Sequence, residues 1–173
     1  MSIAEVIKSA PDAAKDIRLN FAKLLQSDAV SISQEDINAV MYAVGISLDQ
    51  SDVMKQVTQL LEASLDEQTI HGAKVASAIM AMNNIYYRFV HLSESVELAS
   101  MNPGLRMQGM MRHGIDKKLF EFMSLAISAV NGCGMCIQSH INTLEKEGAD
   151  IEAIQMSAKI AAVLSAFNQV TLS

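Results

Sequence analysis

The sequence predicts an all-α protein, a compact helical bundle, on three observations. Half of the 173 residues are apolar and only 18% are charged, which excludes disorder by the low-hydrophobicity, high-charge route. That apolar half is drawn from Ala, Leu, Ile, Val and twelve Met, with no Trp, five Phe and three Tyr; Ala, Leu and Met are strong helix formers, whereas sheets draw on aromatic and β-branched residues. Only two Pro interrupt the chain, at 11 and 103, too few turn signals for a β architecture. The length suits one domain with a real core and is too short for two domains and a linker. One domain, 1–173, is expected.

The elements follow in order. Pro11 suits the first turn of a helix that carries Ile17, Phe21, Leu24 and Leu25 at helical spacing. Ser33 and Asp36 have the form of a capping box, followed by Ile37, Val40, Met41, Val44 and Leu48 on one face, so a helix runs from about 34 to 49. Ser51-Asp52 caps a shorter segment with Val53, Val57, Leu60, Leu61 and Leu65. After Asp66 a long helix extends to about His91, broken in pattern only by Gly72 and with scarcely a charge between Lys74 and Arg88; it is expected to be the central buried helix. From Leu92 to Ile115 periodicity weakens, and Pro103-Gly104, Gly109 and Gly114 mark connections around one or two short turns. Asp116 caps a helix to about Val130, and Asn131-Gly132 tolerates a left-handed stop. A new helix opens at Cys133-Gly-Met-Cys136 and closes at Gly148, and Asp150 caps a last helix through Ala166.

At an offset of 82, Ile37 overlays Leu119, Val40 overlays Phe122, Met41 overlays Met123 and Val44 overlays Ala126. This suggests an internal helical repeat, about 34–91 and 116–168, although any two amphipathic helices align somewhere. Cys133 then falls on Ser51, Cys136 on Met54 and His140 on Thr58, so only the second copy holds thiols. A bundle rather than a solenoid is expected.

The net charge of −6 and the absence of a basic run make nucleic acid and anionic membrane poor partners. The start lacks the pattern of a signal peptide, and no stretch approaches the roughly 20 apolar residues needed to span a bilayer. A cytoplasmic protein is expected, and there a close Cys pair is catalytic or metal-binding more often than structural.

A helix start favours thiolate, because its unpaired amides and dipole stabilise negative charge. On that ground alone Cys133, the earlier residue, would be the more acidic thiol. His140, however, lies one helical turn above Cys136 on the same face, whereas seven residues separate it from Cys133, about 10 Å of rise. It can serve Cys136 as base far more readily. Glu121, on the preceding helix, can fold back at the Asn131-Gly132 break to orient that imidazole.

Other uses of the pair are weaker. A disulfide closing so short a loop removes only roughly 2 kcal/mol of chain entropy, and the cytoplasm would reduce it. Zinc needs four ligands, and beyond Cys133, Cys136 and His140 the chain offers His71, His91 and His113 at no recognisable spacing; no metal is expected, and these three are read as surface or hydrogen-bonded residues. Covalent haem needs His after the second Cys, and Ile137 stands there. Two incidentally buried thiols would not explain a His one turn on. The twelve Met are read as core filling.

The block Phe120-Glu-Phe-Met-Ser-Leu-Ala-Ile-Ser-Ala-Val-Asn-Gly-Cys-Gly-Met-Cys-Ile-Gln-Ser-His140 resembles the AhpD-type alkyl hydroperoxidases, whose pattern is Glu, eleven residues, Cys-x-x-Cys, three residues, His. Asp16-Ile-Arg-Leu-Asn20, the segment from Ala78 to Arg88 and Asn102-Pro-Gly-Leu-Arg-Met107 extend the likeness over nearly the whole chain. The resemblance implies a helical fold from a repeated unit, assembled as a homotrimer. It also implies reduction of alkyl hydroperoxides and re-reduction of an AhpC-type peroxiredoxin. The electrons would come from the lipoyl group of a dihydrolipoyl acyltransferase recharged by dihydrolipoamide dehydrogenase, so dihydrolipoamide is the expected donor and no tightly bound cofactor is expected. By the same resemblance Cys136 is the attacking thiolate, Cys133 its partner and proton donor, His140 and Glu121 the proton relay, and a Cys133–Cys136 disulfide closes the cycle. One position departs: some members carry His before the second Cys, and here it is Met135, which puts the peroxidase rate in doubt more than disulfide exchange.

Two other classes stay in view. A carboxymuconolactone-decarboxylase-like enzyme would share the helical fold without needing the thiols. A non-catalytic helical oligomerisation module would account for the Met-rich faces.

Overall fold

The computed structural model describes residues 1–26 and 31–172. Among them the regular structure is helical, with no strand. The described residues form nine α-helices: α1 (Ile3–Lys8), α2 (Lys15–Leu24), α3 (Gln34–Ser47), α4 (Asp52–Glu62), α5 (Glu67–Leu92), α6 (Val96–Ser100), α7 (Lys117–Val130), α8 (Gly134–Lys146) and α9 (Ile151–Thr171). Short 3₁₀ turns stand at Asp12–Ala14 and Gln108–Met110.

Local chemistry sets most helix starts. Ser33 accepts from the Asp36 amide while Asp36 reaches back to the Ser33 amide, closing the expected capping box. Ser51, Asp66, Asp116 and Asp150 cap α4, α5, α7 and α9 through their side chains. Each satisfies amides that the first turn leaves without intrahelical acceptors. Three elements differ from the sequence reading. Pro11 leads a 3₁₀ turn at Asp12–Ala14 and not the first turn of α2, which begins at Lys15. α1, which its periodicity is too short to announce, is held by a Ser2–Glu5 capping box. α9 runs on past Ala166 to Thr171, because Phe167 and Val170 continue its apolar face against the core and the Thr171 hydroxyl joins that of Ser51 at the start of α4 at 2.7 Å.

The centre of the molecule also differs from expectation. α3 is buried without a break from Ala39 to Gly45, and α7 from Phe120 to Ser128. These two helices pack on each other, and both pack on α5 and α9. α5 is not buried all round: it turns Ala73, Ala76, Met80, Asn83 and Asn84 inward and leaves Ile85, Phe89 and Leu92 exposed. A lack of charge along α5 marked a weakly polar surface, not burial on every side. Gly72 does not break α5; its bare Cα lets the Ile115 side chain lie against the helix, where a Cβ would come within 2.6 Å of Ile115 Cδ1.

α3, α4 and α5 are followed in the same order by α7, α8 and α9, and Ser51 and Cys133 occupy the same capping position at the start of α4 and α8.

Candidate thiol site

The site is built at the junction of α7 and α8. Gly132 adopts φ +65°, the left-handed region, and its amide donates to Ala129 O at 3.2 Å while the Cys133 amide donates to Ser128 O at 3.1 Å. This pair of bonds is a Schellman closure, which satisfies the last carbonyls of α7 and turns the chain sharply. α8 begins in the very next residues. Cys133 is its N-cap, with Sγ 3.4 Å from the Cys136 amide it accepts from, and Cys136 sits in the first turn. Both sulfurs therefore lie among first-turn amides that favour negative charge.

Cys133 and Cys136 are joined as a disulfide, with Cα atoms 5.3 Å apart, inside the usual span for such a bond. The two are not equivalent. Cys133 is fully buried, whereas Cys136 borders a cavity of about 360 Å³ that His140 and Ser139 also line. Access thus favours Cys136, against the helix-start argument that would make Cys133 the more acidic thiol.

α7 packs on α8 as well as on α5, and this brings Glu121 back over the helix that carries the pair. The His140 Nδ1 and Glu121 Oε2 lie 2.6 Å apart, with both residues buried. An Nδ1–H donated to the carboxylate leaves Nε2 as the free acceptor of the ring, the arrangement that orients a general base. The four residues singled out from the sequence, Glu121, Cys133, Cys136 and His140, therefore meet in one place.

The sequence reading missed what α5 contributes. Asn84 is completely buried; its Nδ2 donates to Ser128 Oγ at 2.9 Å and its Oδ1 accepts from Asn131 Nδ2 at 3.0 Å. Arg88 Nη1 donates to the Asn131 carbonyl. These bonds hold the turn that presents Cys133, and the neighbouring Asn83 places its carbonyl oxygen 3.9 Å from Cys136 Sγ. The signal available was a polar Asn-Asn pair inside a charge-poor helix. The Met do not all fill the core: Met1, Met101 and Met111 are exposed, and Met107, Met110 and Met135, with the core residue Met80, line the cavity together with Tyr87 and Asn83. Met135 stands there half-exposed, at the position before the second Cys.

Of the remaining histidines, His71 and His91 are exposed. His113 is buried, stacked on Phe120 with ring centroids 4.1 Å apart, and its Nδ1 accepts from the Ile115 amide at 3.3 Å. Burial pushes its pKa down, against the opposing pull of the Glu121 and Asp116 carboxylates. Among the described residues no cluster of His, Cys, Asp or Glu could hold a metal ion, and no helix is long and apolar enough to cross a membrane.

A protein of Coxiella burnetii named alkyl hydroperoxide reductase AhpD is 45% identical to this chain over 163 residues, spanning 94% of this chain and 92% of its own length. The chain belongs to the AhpD family. A second AhpD relative, from Brucella canis, is 39% identical over 164 residues, covering 95% of this chain and 93% of its own. The model of the carboxymuconolactone decarboxylase family matches residues 97–172, the part that contains α7, α8 and α9. AhpD membership and the all-helical architecture agree.

Proposed function

We propose that the protein is a thiol-dependent alkyl hydroperoxide reductase that also re-reduces an AhpC-type peroxiredoxin. The observation that carries this reading is the asymmetry of the pair: Cys136 borders the cavity with His140, while Cys133, its disulfide partner, lies sealed behind it.

In the dithiol state the imidazole of His140, held by Glu121, takes the proton of Cys136. The thiolate attacks the distal oxygen of the hydroperoxide; an S–O bond forms as the O–O bond breaks, and the departing alkoxide takes a proton and leaves as the alcohol. Cys133 then attacks the sulfenic sulfur, water is released, and the disulfide closes. A dihydrolipoyl group, carried by a dihydrolipoyl acyltransferase and recharged by dihydrolipoamide dehydrogenase, returns two electrons by thiol exchange. The same exchange through a mixed disulfide at Cys136 reduces the peroxiredoxin. The soft, adaptable Met walls of the cavity suit an apolar organic chain. The exposed row of Ile85, Phe89 and Leu92 on α5 supports a homotrimer by offering apolar surface to other copies.

The test combines the protein with an alkyl hydroperoxide, dihydrolipoamide and lipoamide dehydrogenase and follows NADH loss with and without an AhpC-type peroxiredoxin. Turnover in either arm, abolished by Cys136→Ser, is the expected result; no turnover in either arm sinks the reading. Full activity after Cys133→Ser with Cys136→Ser would favour a carboxymuconolactone-decarboxylase-like enzyme instead.

A further inference from the structure

The disulfide leaves the cavity open with its nucleophile spent. Cys136 is bonded to Cys133, yet the space beside it still measures about 360 Å³. The other sulfurs on its wall are thioethers, those of Met80, Met107, Met110 and Met135. A thioether attacks a peroxide oxygen through a sulfur lone pair, so the reach and freedom of that lone pair rank the four. Met80 is 1% exposed, and Ser128 Oγ and Asn84 Nδ2 lie 3.6 and 3.9 Å from its sulfur. The Met107 sulfur accepts from the Tyr87 hydroxyl at 3.8 Å. Met110 packs against the core. Met135 differs in each respect: it is 42% exposed, it lies outside the core, and its sulfur accepts no hydrogen bond among the described residues. It is also the chain neighbour of Cys136, in the first turn of α8.

We propose that Met135 is a second oxidation site of the cavity: its thioether takes the distal oxygen of an organic hydroperoxide when Cys133 and Cys136 are already a disulfide, and the sulfoxide slows the turnovers that follow. This rests on the reading above that such a peroxide enters the cavity, and adds a reaction for the state in which the pair awaits its reductant. The Met135 sulfur donates an electron pair to the distal oxygen, and the S–O bond forms as the O–O bond breaks. The hydroxysulfonium so formed gives up its proton to the departing alkoxide, which leaves as the alcohol. The sulfur is oxidised by two electrons and the peroxide is reduced by two, with no further reactant. The product places a polar S=O group on a wall of soft, apolar Met side chains. An apolar peroxide is then held less well, so the protein slows when peroxide outruns the supply of electrons.

The test exposes the disulfide form to cumene hydroperoxide or, separately, to hydrogen peroxide, which has no apolar body for the cavity to hold. Peptide mass spectrometry reads sulfoxide at Met135 and at Met111, which is 85% exposed and does not line the cavity. Hydrogen peroxide sets the ratio that exposure alone gives. With cumene hydroperoxide the ratio of Met135 to Met111 oxidation is expected to rise about tenfold, the factor that a binding preference of ~1.4 kcal/mol supplies. Dithiothreitol then reduces the pair and leaves the sulfoxide in place. The rate constant of the reduced protein with cumene hydroperoxide is expected to be about tenfold lower than before treatment, by the same preference lost. Met135→Leu, similar in size and without sulfur, is expected to keep the rate constant it had before treatment. The same ratio with both oxidants, an undiminished rate constant in treated wild type, or an equal fall in Met135→Leu overturns the proposal and leaves the peroxidase reading standing. Untreated reduced protein that does not react with cumene hydroperoxide overturns that reading, and this site with it.

Discussion

His140 Nδ1 and Glu121 Oε2 lie 2.6 Å apart on facing helices, both residues shielded from solvent. Removing one partner strands the other. His140→Phe should therefore lose about 1–3 kcal/mol of stability by leaving the Glu121 carboxyl without its hydrogen bond. Adding Glu121→Leu to it should recover part of that loss, a non-additivity expected of contacting residues. Urea denaturation of the two single variants and the double variant measures this directly, and strictly additive losses would show that the pair does not act as a unit. Turnover should fall about 10–100-fold in Glu121→Gln, in line with the loss of a group that orients a working imidazole.

Asn84 ties α5 to the turn that presents Cys133. Asn84→Ala should cost about 2 kcal/mol or more, because Ser128 and Asn131 each lose a buried partner. Asn83→Ala should cost clearly less, since the Asn83 Oδ1 bonds nothing. Chemical denaturation of the two variants side by side checks the order; equal losses would mean that Asn84 is no more a structural tie than its neighbour.

His113 makes stability depend on pH in a defined direction. Its folded pKa lies below the ordinary value of 6.5, because burial favours the neutral ring, and its Nδ1 must stay unprotonated to accept from the Ile115 amide. The unfolded chain thus takes up a proton before the folded chain does as pH falls below 6.5. Stability from this group is complete above that value and is lost as pH drops from there toward the lowered pKa. His113→Phe, which keeps the stacking on Phe120, should flatten the urea midpoint between about pH 7.5 and pH 5 relative to wild type. Parallel curves for the two proteins would remove His113 from the pH response.

Gly72→Ala sets helix propensity against packing. In an exposed helix the change would stabilise by about 1 kcal/mol. Here the new Cβ would come within 2.6–2.8 Å of three Ile115 side-chain carbons, so the whole side chain must shift, at a cost of about 1–3 kcal/mol. A net drop in thermal midpoint is expected, and combining the change with Ile115→Ala should relieve the clash and shrink the drop. A stabilised Gly72→Ala would show that Ile115 yields freely.

The helices were legible wherever a local signal carried them: the capping residues Ser33, Ser51, Asp66, Asp116 and Asp150 start helices as the pattern says. The thiol constellation was legible too, because Cys136 and His140 are one helical turn apart and Glu121 sits on the helix before the break. What could not be read was the identity of the central helices. α5 looked buried because it lacks charge, yet α3 and α7 fill the middle, since burial depends on how many neighbours surround a helix and not on its own composition. Nor could the sequence separate Asn83 from Asn84, which have the same chemistry and adjacent positions; one turns to the cavity, the other to Ser128 and Asn131.

By itself, then, the sequence determined the all-α class, most helix starts and the spacing of the redox pair, all consequences of interactions within a few residues. Only the tertiary structure decided which of Cys133 and Cys136 meets the cavity, that His140 and Glu121 touch, and that α5 supplies both the clamp on the turn and the cavity wall. Those depend on contacts between helices, where side-chain shape and competing burial choose among faces that local periodicity leaves equivalent.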